Sequence, residues 1–241
     1  MPPDEPAASN PADGVVITYL LGPSTAGPVT LEMIETASGQ LIRRYSSDDP
    51  DDVPIAGRNI PDYWIRPTPR LSAAPGLHRF VWDLHYGPPA VTTFEYPIAA
   101  VAGNTPKSPR GLWVNPGTYQ VRLTVGGRAF RQAVVVKMDP RVKMTQTDLA
   151  LQFRLSKSVN DTMRQLIDAR AEAKRRRDAT SGDEAARWQG LDAALSKAYD
   201  PLPALYSVLQ DADARPTTTT EAAVAEALRQ AADAIAAAKQ P

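Results

Sequence analysis

Gly76-Leu77-His78-Arg79-Phe80-Val81-Trp82-Asp83-Leu84-His85-Tyr86 is the stretch whose reading decides the fold. Phe80, Trp82, Leu84 and Tyr86 fall at alternate positions, with Arg79, Val81, Asp83 and His85 between them. A period of two over this length predicts a strand with one face in a core and the other towards water. Trp82 carries the largest apolar side chain available, so a sheet built on this strand packs around it. Both histidines of the protein lie here, which also makes it the first place to look for chemistry.

Working upstream, residues 15–20 and 29–34 read as strands. Ala37-Ser38-Gly39 supplies a turn, and residues 40–45 return as the third strand of a hairpin. Residues 1–13 are rich in Pro, Ala and Asp and read as a disordered tail or linker. Downstream, Asn115-Pro116-Gly117-Thr118 launches a strand over 119–125, and Gly126-Gly127 permits a tight turn into a return strand over 129–138. Six to seven strands with no helical pattern between them predict an antiparallel β-sandwich of immunoglobulin-like type over residues 14–140. Two proline-rich irregular stretches, 46–75 and 87–115, flank the central strand. Loops this long are uncommon in compact domains unless they bind something or pack on a neighbour.

Past Asp139-Pro140 the pattern changes period. Thr145-Gln146-Thr147-Asp148 offers a helix N-cap, and Leu149, Phe153, Val159, Met163, Leu166 and Ile167 recur at helical spacing up to about residue 180. A second helix is expected over 184–199, with Trp188, Leu191, Leu195 and Tyr199 on one face. Pro201 and Pro203 interrupt it. A short helix over 202–210 and an alanine-rich one over 221–239 complete an antiparallel helical bundle over residues 141–241.

Composition bounds the function. The 241 residues carry a net charge of +0, with 43% hydrophobic and 22% charged residues, an ordinary globular balance. That balance exerts no general pull on nucleic acid or anionic membrane. No cysteine is present, which removes thiolate metal sites, disulfides and Cys nucleophiles. No apolar run approaches the roughly 20 residues a membrane span needs. The start, Met1-Pro2-Pro3-Asp4-Glu5-Pro6, has neither the basic nor the apolar region of a signal peptide.

Candidate chemistry is sparse. His78 and His85 are seven apart, so on one strand they face opposite ways and cannot share a metal. Asp83 and His85 share a face and could form an acid-base couple, or simply a hydrogen bond on the strand's polar side. No Gly-x-Ser-x-Gly turn accompanies them. The loop acids Asp48, Asp49, Asp51 and Asp52 offer oxygen ligands for calcium, or a solvated turn. Glu32, Glu35, Asp83 and Glu95 show no spacing that selects a catalytic pair. The basic run Lys174-Arg175-Arg176-Arg177 stands near a helix end, where cations complement the dipole. The expectation is therefore no catalytic residue, no metal, no cofactor and no nucleic-acid partner. The most informative set is Tyr63, Trp64, Phe94, Tyr96 and Trp113 in the proline-rich stretches. They form a carbohydrate platform, an interface to another domain, or caps on the ends of the sandwich.

Several of these motifs, in order, resemble a known family. The strand 29–34, Ser38-Gly39, Phe80-Val81-Trp82-Asp83 and Pro116-Gly117-Thr118-Tyr119 resemble the immunoglobulin-like domain of the flagellar hook-capping type. The set of Asn10-Pro11-Ala12-Asp13-Gly14, the strand 77–86, Asp139-Pro140-Arg141, Asp148-Leu149, Gln152-Phe153, Leu205-Tyr206, Leu209-Gln210 and Pro216-Thr217 covers most of the chain. It resembles the C-terminal region of bacterial sortilin-like, BNR-repeat propeller proteins, often labelled glycosyl hydrolases. The resemblance implies an accessory module of a longer exported protein, extracytoplasmic in location. Its partner would be the propeller, with carbohydrate or a cell-surface protein as a further one. Any glycosidase chemistry would belong to the propeller, since no Ser-x-Asp-x-Gly-x-x-Trp box occurs here.

Overall fold

A computed structural model describes residues 11–51, 60–96 and 102–239. Among these, six strands precede four helices. The chain divides into two compact units that interleave in sequence. The first comprises Met1–Pro54, Pro67–His85 and Gly117–Val135; the second comprises Ile55–Arg66, Tyr86–Pro116 and Val136–Pro241. Most of the proline-rich sequence expected within the β region thus groups with the helices.

In the first unit, β1 (Val15–Leu21) pairs antiparallel with β4 (Gly76–Trp82), setting Val15 opposite Trp82 and Leu21 opposite Gly76. The second sheet has the order β3-β2-β5-β6, from β2 (Thr30–Glu35), β3 (Leu41–Ser46), β5 (Gly117–Val125) and β6 (Arg128–Val136). Gly126 and Gly127 both adopt positive φ, the backbone a two-residue turn requires to match the twist of its strands. The period-two residues do the burying: Leu31 and Met33 from β2, Phe80 and Trp82 from β4, Tyr119 and Val121 from β5. Their rings interlock, with Phe80 edge-on to Tyr45 at 4.7 Å and Trp82 edge-on to Tyr119 at 5.8 Å. Burying each such side chain contributes about 1.5–3 kcal/mol.

The central strand is shorter than its alternation suggests. It stops at Trp82, because Leu84 takes a left-handed conformation with φ 62°. A kink of this kind ends ladder pairing and reverses which residues face inward. Leu84 and Tyr86, expected in the core, are half-buried, while His85, expected on the polar side, is only 3% exposed.

The second unit holds α1 (Gln146–Ala179), α2 (Gly182–Tyr199), α3 (Leu202–Gln210) and α4 (Thr218–Lys239). Thr145 caps α1 through a 3.1 Å bond from the Asp148 N–H to its hydroxyl. Pro203 is tolerated in the first turn of α3, where a missing N–H costs nothing. The helices share one core that includes Val159, Met163 and Leu166 of α1, Leu195 and Tyr199 of α2, Tyr206 of α3 and Val224 of α4. No helix among the described residues is long and apolar enough to cross a membrane.

Candidate functional site

The proline-rich segments of the second unit are stitched to each other by main-chain bonds. Pro61, with φ −63°, starts a single 3-10 turn over Asp62–Trp64, closed by the Trp64 N–H on the Pro61 carbonyl and the Ile65 N–H on the Asp62 carbonyl, both at 3.1 Å. The next residues then run alongside 103–105. The Gly103 N–H donates to the Tyr63 carbonyl at 2.9 Å, the Thr105 N–H to the Trp64 carbonyl at 3.1 Å, and the Arg66 N–H to the Thr105 carbonyl at 2.8 Å. Gly103 sits at φ 67°, a turn conformation that glycine adopts without penalty. On the far side, Glu95 and Ser108 exchange reciprocal N–H to carbonyl bonds of 2.8 and 2.9 Å. Segments some forty residues apart therefore form one small ladder.

Tyr63 and Trp64 project from this support. Tyr63 is 72% exposed, and its ring meets that of Trp64 edge to face at 6.3 Å. Close to them in sequence, the Arg66 guanidinium donates from Nε to Asn104 Oδ1 at 2.8 Å. Phe94 and Tyr96 flank Glu95 at the separate antiparallel bridge to Ser108. Phe94 is half-buried, and Tyr96 is buried with no hydrogen-bond partner for its hydroxyl among the described residues. Trp113 has a different support: its N–H donates to Gln210 Oε1 at 2.9 Å, and the Gln210 amide donates onward to Ser156 Oγ. Of the five aromatics, the ring contact joins Tyr63 to Trp64.

Asp83 and His85 do meet, at 3.5 Å between Asp83 Oδ2 and His85 Nδ1. Nδ1 lies closer to the Asp83 carbonyl, at 2.6 Å. A carbonyl only accepts, so this bond places the ring proton on Nδ1 and turns it towards the backbone. His85 is buried, and the pair lies in the turn after β4. His78 Nε2 donates to the Ala74 carbonyl at 2.7 Å, and its ring lies 5.1 Å from that of Tyr19.

The remaining charged candidates are engaged locally. Glu32 accepts from Arg122 Nε at 2.7 Å, and this bond holds its carboxyl below the ordinary value. Asp49 caps the Ser46 N–H at 2.6 Å and faces Arg44 at 3.8 Å, while Asp51 pairs with Arg70. Asp52 lies outside the described residues. Among the described residues no three His, Asp or Glu side chains come together as a metal site would need. In the basic run, Arg175 and Arg176 pair with Glu172 and Arg177 with Asp178; Arg176 also lies over the Trp188 ring.

Sequence reasoning found the aromatic set but not the ladder beneath it. Backbone pairing across a long loop leaves no periodicity to read. Compared with models of protein families, with curated proteins and with solved structures, the chain matches none of them.

Proposed function

We propose that this chain is a non-catalytic accessory module of an exported propeller protein. In this reading the two sheets form an immunoglobulin-like sandwich and the helices an antiparallel bundle. The module supports its parent's fold, surface attachment, or recognition of carbohydrate or protein outside the cytoplasm. The observation that carries it is the exposed Tyr63, edge to face with the half-buried Trp64, on main-chain bonds rather than on a free loop. Rigid support is what a recognition surface needs, because it lowers the ordering cost of binding. The family resemblance of Phe80-Val81-Trp82-Asp83 and Pro116-Gly117-Thr118-Tyr119 points to the same class of module.

Affinity electrophoresis through polysaccharide gels tests this. Retention should fall for Tyr63→Ala and Trp64→Ala, with the circular dichroism spectrum unchanged. Equal mobility of wild type and both variants in every polysaccharide and parent-propeller gel would remove the recognition role.

A second reading is that the loops contribute to a glycoside hydrolase active site. It draws on Glu95, an exposed carboxylate between Phe94 and Tyr96. Glycoside turnover by the chain together with its propeller, lost in Glu95→Gln, would favour it. The accessory reading expects that turnover to be unaffected.

A further inference from the structure

A cleft of about 540 Å³ opens in the first unit between the end of β1 and the β5–β6 hairpin. Leu20, Leu21, Leu123, Val125 and Phe130 line it, and Arg128 is its charged residue. Leu20 is 73% exposed and Phe130 50%, so apolar surface that a core would ordinarily cover stands open to water. Beside the cleft, β6 ends the four-stranded sheet, and no strand among the described residues pairs with its outer side. Residues 128–133 of this strand are exposed on both faces.

The charge along this edge is one-sided. Arg128 and Arg131 lie on β6, Arg128 on the Phe130 face and Arg131 on the other, with no acidic residue from 128 to 136. Among the described residues neither cation forms an ion pair; Arg128 instead lies over the Phe130 ring at 5.6 Å.

We propose that the outer edge of β6 and this cleft together dock an extended segment of a partner protein, apolar at alternate positions and acidic at those between. The segment's backbone continues the ladder beyond β6, which satisfies the edge N–H and C=O groups on both chains. Its apolar side chains, all on one face because of the two-residue period, enter the cleft against Phe130 and Leu20. Its carboxylates, on the opposite face, meet Arg131. A second copy of this chain fits worse, since its β6 carries no acidic residue to meet Arg131. This site deepens the interaction-module reading and rests on it.

Amide hydrogen exchange on the full chain, followed by NMR, tests the site with nine-residue peptides. One has Val at alternate positions with Glu between; its counterpart has Lys in place of Glu. The Glu peptide should slow exchange along 129–135, and the Lys peptide should bind at least about tenfold more weakly, as expected for complementary edge charges. Arg131→Glu, on an exposed side chain, should remove that preference without unfolding the sheet. Three results would overturn the site. The first is no slowing at β6 with about millimolar Glu peptide, the weak end of specific association, as expected if the cations merely guard the edge. The second is equal binding of both peptides. The third is protection that rises with protein concentration alone, which would assign the edge to a second copy. Polysaccharide retention reads Tyr63 and Trp64 independently, so losing one signal while keeping the other separates failure of this site from failure of the broader reading.

Discussion

The indole Nε1–H of Trp82 donates to the backbone carbonyl of His85, three residues on, at 3.0 Å. The bond spans the left-handed Leu84 and ties the end of β4 to the turn that buries His85. Trp82 is therefore both the largest core side chain of the first unit and the fastener of its central strand.

Trp82→Phe removes the donor and leaves a small cavity. The lost hydrogen bond costs about 0.5–1.5 kcal/mol, and the lost volume adds to it. Urea unfolding of the variant should show a clearly lowered midpoint. A midpoint equal to wild type would mean that the bond carries no weight.

Tyr119 is buried against Trp82, and desolvation of its phenolate pushes its pKa from 10.0 up to about 12. A raised value in the folded state means that its stabilising effect is complete below pH 10 and lost as pH rises towards 12. Tyr119→Phe has no proton to lose. Its thermal midpoint should fall less steeply than wild type between pH 10 and 12, and parallel curves would refute the assignment.

Glu32 gives the opposite sign. Arg122, 2.7 Å away, holds its carboxyl below the ordinary 4.5, so the pair's support is complete above pH 4.5 and lost as pH falls through the lowered value. Because the pair is partly exposed, the effect is modest and weakens with salt. Glu32→Gln should flatten the acid limb of the stability curve. An unchanged acid limb would show that the pair contributes nothing to folding.

In the second unit, Tyr206 donates to the Arg110 carbonyl at 3.0 Å, and Asn160 Oδ1 accepts the Ala90 N–H at 2.9 Å. These bonds fasten the proline-rich segment to α3 and α1. Tyr206→Phe should cost about 0.5–1.5 kcal/mol. Asn160→Ala should speed exchange of the Ala90 amide while leaving the helix amides slow. Unchanged exchange at Ala90 would contradict the fastening.

Two glycines make a paired test. A Cβ on Gly111 would lie 2.3 Å from the Tyr86 carbonyl oxygen and 2.5 Å from that of Gly87, so Gly111→Ala must displace main chain. It should lower the thermal midpoint by several degrees or prevent folding. Gly190 stands exposed in α2, where an added methyl would meet nothing within 4 Å, and Gly190→Ala should raise stability by up to about 1 kcal/mol. Similar outcomes for both would mean that crowding at Gly111 is not what selects glycine there.

Much of the chain's local structure is legible in residue order. Most of the six strands and four helices follow from period-two and period-3.6 patterns that each segment carries in its own side chains, while β6, exposed on both faces over 128–133, does not bury by that period. The Thr145 cap and the Gly126–Gly127 turn are likewise local, since each depends on neighbours within a few residues. The aromatic set of the proline-rich stretches stands out by composition alone.

What alternation could not disclose is where its own parity slips. One left-handed residue, Leu84, moves His85 from the water-facing side into the interior and ends the strand four residues early. The ladder joining 63–66 to 103–105 was equally hidden, because main-chain donors and acceptors are nearly the same for every residue and name no partner. The open edge of β6 depends on strand order, a property of the folded sheet. Residue order therefore determined which segments are strands and helices. Tertiary structure alone decided which edges remain open, which loops are stitched together, and which histidine is withdrawn from solvent, since these rest on contacts between residues distant in the chain.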